Sequence, residues 1–97
     1  MTRDQALAIL RTEAADLRRE FAVRSLALFG SLARNRSGVG SDVDLLIEFE
    51  RPVGLLHFAR TARHLEDVLG APVDLVLRRA VLPELRDDIL RDAVDAF

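Results

Sequence analysis

The chain has 97 residues, 49% hydrophobic and 31% charged, with a formal net charge of −2 and no cysteine. Residues 1–97 are therefore expected to form one soluble domain around one core, with no disulfide framework, no thiolate chemistry and no direct, general nucleic-acid binding by bulk electrostatics. No apolar run reaches membrane-spanning length and no basic-then-apolar leader opens the chain, so no membrane association and a cytoplasmic location are expected.

From about Arg3 to Glu20 the apolar residues Leu7, Leu10, Ala14 and Leu17, continued by Phe21, recur at three- and four-residue spacing. This predicts one amphipathic helix, opened by a capping box between Thr2 and Gln5. Val23 to Phe29 is a nearly continuous apolar run, the pattern of a strand covered on both faces. It breaks at Gly30-Ser31, and a short helical segment to about Arg36 leads into the loop Ser37-Gly38-Val39-Gly40-Ser41. The loop glycines serve close ligand approach or a flexible turn equally well. Arg36 reads more simply as facing water than as a phosphate contact.

The second strand, about Val43 to Phe49, ends at Glu50-Arg51-Pro52. Side chains alternate along a strand, so Asp42, Asp44, Leu46 and Glu48 share one face, and Val43, Leu45, Ile47 and Phe49 the core-facing other. Glu48 lies too far along to join the aspartates and reads as surface or a salt-bridge partner. Gly54 to Leu69 predicts a helix with Leu55, Phe58, Ala62, Leu65 and Leu69 inward, stopped by Gly70 and Pro72. His57 and His64 lie about two turns, roughly 10 Å, apart; that is poor metal-ligand spacing. They read as solvated surface, or as a partner-facing patch. Val73 to Leu77 is a third strand carrying Asp74, followed by Arg78-Arg79 and a closing helix from Pro83 with Leu82, Leu85, Ile89, Ala93 and Phe97 inward.

The chemistry gathers between Leu28 and Phe49. Asp42 and Asp44, about 6 Å apart, repel by roughly 3 kcal/mol at an effective dielectric of 20, less if solvated. A divalent cation turns that repulsion into attraction, and Mg²⁺ typically binds one or two carboxylates together with substrate phosphates. The Gly30-Ser31 break exposes backbone N–H groups at the start of a helical turn, a setting that attracts anions. Gly30 permits close backbone approach, Ser31 adds a hydroxyl donor, and Arg34 stands one turn on. All fourteen basic residues are arginine, so any phosphate clamp is guanidinium-based; genome composition accounts for that bias equally well.

The sequence Gly30-Ser31, ten residues, then Asp42-x-Asp44 resembles the signature of the DNA polymerase β-like nucleotidyltransferase superfamily. With Ala33-Arg34 and Ser41, and a chain ending soon after a third acidic strand, it resembles the smallest branch, the minimal nucleotidyltransferase (MNT) domains. That resemblance covers nearly the whole chain. It implies an α/β fold, a small mixed β-sheet of three to four strands with packed helices. It implies a transferase moving AMP from ATP to a hydroxyl, with Asp42, Asp44 and Asp74 as catalytic metal ligands for Mg²⁺. Gly30, Ser31, Arg34 and Ser41 would bind nucleotide. Asp74 would complete the metal site and help deprotonate the attacking hydroxyl; read alone, it is also what marks a strand's surface end.

No residues remain to build an acceptor-recognition domain, so the acceptor is expected to be a separate macromolecule. In the MNT branch the usual partner is a HEPN-family toxin, an RNase silenced by adenylylation of a tyrosine, so the resemblance implies an antitoxin in a toxin–antitoxin system. The alternative is a non-catalytic nucleotide-binding or contact-blocking antitoxin module.

Overall fold

The computed structural model describes residues 1–35 and 42–97. Helices α1 (Arg3–Thr12) and α2 (Ala14–Phe21) precede strand β1 (Val23–Phe29), the single turn α3 (Gly30–Ala33) and strand β2 (Val43–Phe49). Helix α4 (Leu55–Leu69), strand β3 (Val73–Leu77), a 3₁₀ turn (Arg78–Ala80), helix α5 (Pro83–Asp92) and a two-residue strand β4 (Val94–Asp95) follow. The sheet order is β3-β2-β1-β4, with β2 and β3 parallel and the other pairs antiparallel. The expected small mixed sheet with packed helices is therefore present, with four strands. No described helix is long and apolar enough to cross a membrane.

The predicted first helix is two helices. The capping box forms as expected, with Thr2 and Gln5 bonding each other's backbone N–H. The break falls at Glu13 (φ −87°, ψ −3°), just after Thr12, whose hydroxyl donates to the Ala8 carbonyl at 2.9 Å. Such back-bonding bends helices. The bend lets Leu7 and Leu10 on α1 and Leu17 on α2 all reach the core.

The larger core layer lies between α1, α2 and α4 and the sheet face carrying Leu26, Leu28, Val43, Leu45 and Ile47. The opposite face holds a smaller cluster of Ala27, Leu46 and Val81, packed by Phe29, Val76, Ile89 and Ala93. So the aspartate face of β2 is not bare along its length: Leu46 is fully buried beneath α5.

Three further expectations are corrected. Leu55 is 83% exposed, and α4 instead buries Thr61, Leu65 and Leu69 with Phe58 half-buried. The Thr61 hydroxyl is accommodated there because it donates to the His57 carbonyl at 2.8 Å. His57 and His64 are half-buried, not solvated. The His57 Nε2–H donates to the Phe21 carbonyl at 2.6 Å, and His64 lies tilted on the Phe21 ring at 4.8 Å. Leu82 and Leu85 are exposed, and Phe97 reaches the core from the final segment, which pairs with β1 through Ala96 N–H and the Leu26 carbonyl.

These placements predict contrasting costs for two leucines. Leu45→Ala, at the centre of the main core, should lower unfolding free energy by about 2–5 kcal/mol. Leu55→Ala should change it by no more than about 0.5 kcal/mol. Urea unfolding of both variants checks the assignment of the inward face of α4.

Candidate active site

Parallel pairing of β2 with β3 sets Asp44 opposite Asp74, and antiparallel pairing of β1 with β2 sets Phe29 opposite Asp44. The next residue after Phe29 is Gly30, whose φ of +73° suits glycine. A Cβ built there would lie 3.0 Å from the Asp44 Cγ and closer still to its carboxylate oxygen. The turn after β1 thus lies against the Asp44 carboxylate, which any side chain at position 30 would have to displace. Asp42, exposed, immediately precedes β2, and Asp74 is exposed near the start of β3. Register, and not sequence proximity, therefore brings the third aspartate to the first two.

The charges confirm the crowding. Asp44 is held above its ordinary pKa of 3.8, first by partial burial, then by the neighbouring charges of Asp74 and Asp42; Arg34 opposes the rise. This is the electrostatic condition a bound cation relieves. Three hard carboxylate oxygen donors fit Mg²⁺ rather than a soft metal. Among the described residues no three His, Cys, Asp or Glu side chains stand in finished metal-ligand geometry, so a cation here would need further oxygen ligands, which substrate phosphates supply.

On the other side of Gly30, α3 is one turn long and no side chain caps its N-terminus. Ser31 is half-buried in that turn, Arg34 closes it, and Asn35 leaves it at φ +58°, a conformation asparagine tolerates. The expected continuation to Arg36 is not seen within the described residues, since α3 ends at Ala33. Ser41, with the rest of residues 36–41, lies outside the described residues.

Two residues at this end carry no local sequence signal. Asp92, at the end of α5, pairs with Arg34 at 3.4 Å, and Arg3 donates to the Ala33 carbonyl at 3.2 Å. Both contacts hold the turn after β1 from elements 58 and 30 residues away, which is why neither is legible along the chain. Glu48 accepts a hydrogen bond from the Ser25 hydroxyl at 2.7 Å and stays apart from the aspartates.

Carboxylates from two neighbouring strands thus face a glycine-serine turn at the end of a third, the arrangement expected from the motif. Residues 10–96 match the nucleotidyltransferase domain family, and the chain belongs to it. Protein adenylyltransferase MntA of Thermococcus cleftensis is 35% identical over 94 residues, covering 97% of this chain and 95% of that protein. A solved structure assigned as a minimal nucleotidyltransferase is similar at TM-score 0.79 and 36% identity, covering 97% of this chain and 95% of that one. A chain of the complex between tri-AMPylated Shewanella oneidensis HEPN toxin and its MNT antitoxin shares the fold, at TM-score 0.66 and 18% identity over 94% of this chain and 71% of that one. The minimal, polymerase β-like fold expected from the motif is thereby established.

Asp44 yields a prediction with a definite sign. Its folded pKa is raised, so the folded state binds more protons than the unfolded state, and stability from this group falls as pH rises through the folded pKa. Asp44→Asn removes that loss. In chelator, the variant's melting temperature should match wild type near pH 3.5, exceed it increasingly as pH rises, and then level off. Added Mg²⁺ should raise the wild type more than the variant; thermal melts across pH, with and without Mg²⁺, check both.

Proposed function

We propose that this chain is a Mg²⁺-dependent protein adenylyltransferase that transfers AMP from ATP to a hydroxyl of a HEPN-type RNase toxin, acting as its antitoxin. The observation that carries the reading is the cross-strand placement of Asp44 against Asp74 beside Gly30. The protein substrate is supported by the name of the Thermococcus cleftensis relative and by the AMPylated HEPN toxin seen with an MNT antitoxin.

In this reading Asp42, Asp44 and Asp74 would hold Mg²⁺, which would supply charge neutralisation at the phosphates. The Gly30 and Ser31 N–H groups and the Ser31 hydroxyl donate to the β- and γ-phosphate oxygens. Arg34 neutralises the outer phosphate. Asp74, the more exposed of the two strand-paired carboxylates, accepts the proton of the acceptor hydroxyl. The acceptor oxygen then bonds to the α-phosphorus, and the bond from that phosphorus to the β-phosphate bridging oxygen breaks. Pyrophosphate leaves with the electron pair of that bond. Ser41 contributes to nucleotide binding by the family pattern alone. A module that blocks its partner only by contact has no use for a half-buried carboxylate destabilised by two like charges.

Asp74→Asn separates chemistry from binding. It removes a charge and a base at constant size, so Mg-ATP should bind by calorimetry with affinity close to wild type. Transfer should fall by on the order of 10²–10⁴-fold. Mass spectrometry of a HEPN-type protein co-expressed with the variant checks this: full AMP labelling removes Asp74 from the mechanism, and protection from toxicity without any labelling, in wild type and variant alike, overturns the catalytic reading.

A further inference from the structure

The carboxylates occupy one end of β2 and β3; the other end is lined by arginine. Two adjoining cavities, of about 590 and 280 Å³, run around the C-terminal ends of these strands and share Glu48 and Arg79 in their walls. The larger is floored by Ile47, Phe58 and Leu77, and the smaller by Leu46, Val81 and Ile89. Each cavity of the groove so formed has an exposed leucine in its wall: Leu55 in the larger and Leu90 in the smaller.

The charge of this groove opposes that of the molecule. Five arginines and two glutamates line it, in a chain whose formal net charge is −2. Arg24 is paired with Glu50 at 3.4 Å, and Arg78 approaches Asp95 at 3.8 Å. Arg51, Arg79 and Arg86 are exposed and have no ion-pair partner among the described residues. Three unpaired guanidinium groups, against the single unpaired carboxylate of Glu48, leave the groove net positive beside an apolar floor, which favours an occupant with carboxylates between apolar side chains.

The smaller cavity opens on the catalytic face. Leu46 in its floor is two residues from Asp44 on the same side of β2, a rise of about 7 Å. A segment lying in the groove is thus within a few residues' length of the carboxylates. A nucleotide fits the position less well, because its phosphates have a turn at the opposite strand ends, beside Gly30. The two cavities together also extend past what one nucleotide fills.

We infer that this groove is the docking surface for the acceptor protein, taking an acidic segment flanked by apolar side chains and so presenting the acceptor hydroxyl to Asp74. The inference rests on the proposed transfer to a protein, and the experiment reads docking separately from chemistry. Calorimetry would use the Asp74→Asn chain, which binds without labelling, titrated with the HEPN-type protein. Arg79→Glu with Arg86→Glu, and separately Arg51→Glu, are then added to that background.

The expected result is acceptor affinity at least tenfold weaker for the double substitution, with Mg-ATP affinity and melting temperature unchanged. In the Asp74 background, added salt should weaken binding more steeply when the arginines are present. In otherwise wild-type protein, the double substitution should raise the acceptor KM while kcat at saturating acceptor holds within about twofold. Unchanged acceptor affinity in both variants overturns the docking surface. So does a loss of Mg-ATP affinity, which assigns the groove to nucleotide. Concentration-dependent self-association in sedimentation, abolished by the substitutions, assigns it to a second copy and also overturns it. Failure of wild type to label an acceptor that still binds through these arginines counts against the transfer reading and leaves the groove standing.

Discussion

The molecule depends on a repulsion it builds into itself. The β2–β3 register sets two carboxylates side by side, Asp42 adds a third, and the turn after β1 closes on the Asp44 carboxylate at a glycine of positive φ. Nothing in folding favours this arrangement. The sheet imposes it because Val43, Leu45 and Ile47 bury into the main core with Leu26, Leu28 and Leu65, and a one-residue slip would move all of them to the wrong face. The hydrophobic layer therefore fixes the electrostatics of the opposite face. Partial burial sharpens the conflict, since a lower local dielectric strengthens like-charge repulsion and raises the Asp44 pKa.

That division of labour explains the asymmetry of the two helical layers. One face of the sheet is sealed by α1, α2 and α4, whose Ala6, Leu7, Leu10, Leu17, Leu65 and Leu69 are buried against it. The other is covered only in part, by a small cluster under α5, a helix with no fully buried residue of its own. If nucleotide and acceptor enter at this face, as proposed, it cannot be sealed. What covers it is held by Val81, Ile89 and contacts at the helix end.

The sequence was most legible where chemistry and short-range geometry coincide. Gly30-Ser31 and Asp42-x-Asp44 mark their own strand ends, and alternation along β2 correctly divided its two faces. Legibility failed where a residue's environment is supplied from far along the chain. His57 and His64 look polar on a helical wheel, but Phe21 and Phe49 from other elements cover them. Leu55 has the right spacing for the apolar stripe yet sits at the first turn, past the edge of the layer it would pack against. The split at Glu13 turns on one threonine hydroxyl choosing a carbonyl four residues back. Strand β4 is two residues long, too short for any periodicity to register.

Helix α5 ties these observations together. Its last residue, Asp92, holds Arg34 beside the turn after β1, while Arg86 and Leu90 border the groove beyond Leu46. The Arg34–Asp92 contact is half-exposed and of the kind worth at most about 1 kcal/mol, so it orients Arg34 without committing it. An incoming phosphate carries more negative charge than the Asp92 carboxylate and can draw the guanidinium away at little cost. An arginine buried in a bidentate pair would have to be broken free at a cost of several kcal/mol. A surface-grade ion pair is thus what the proposed phosphate role of Arg34 requires of its resting partner: strong enough to hold the side chain near the turn, weak enough to yield to a substrate.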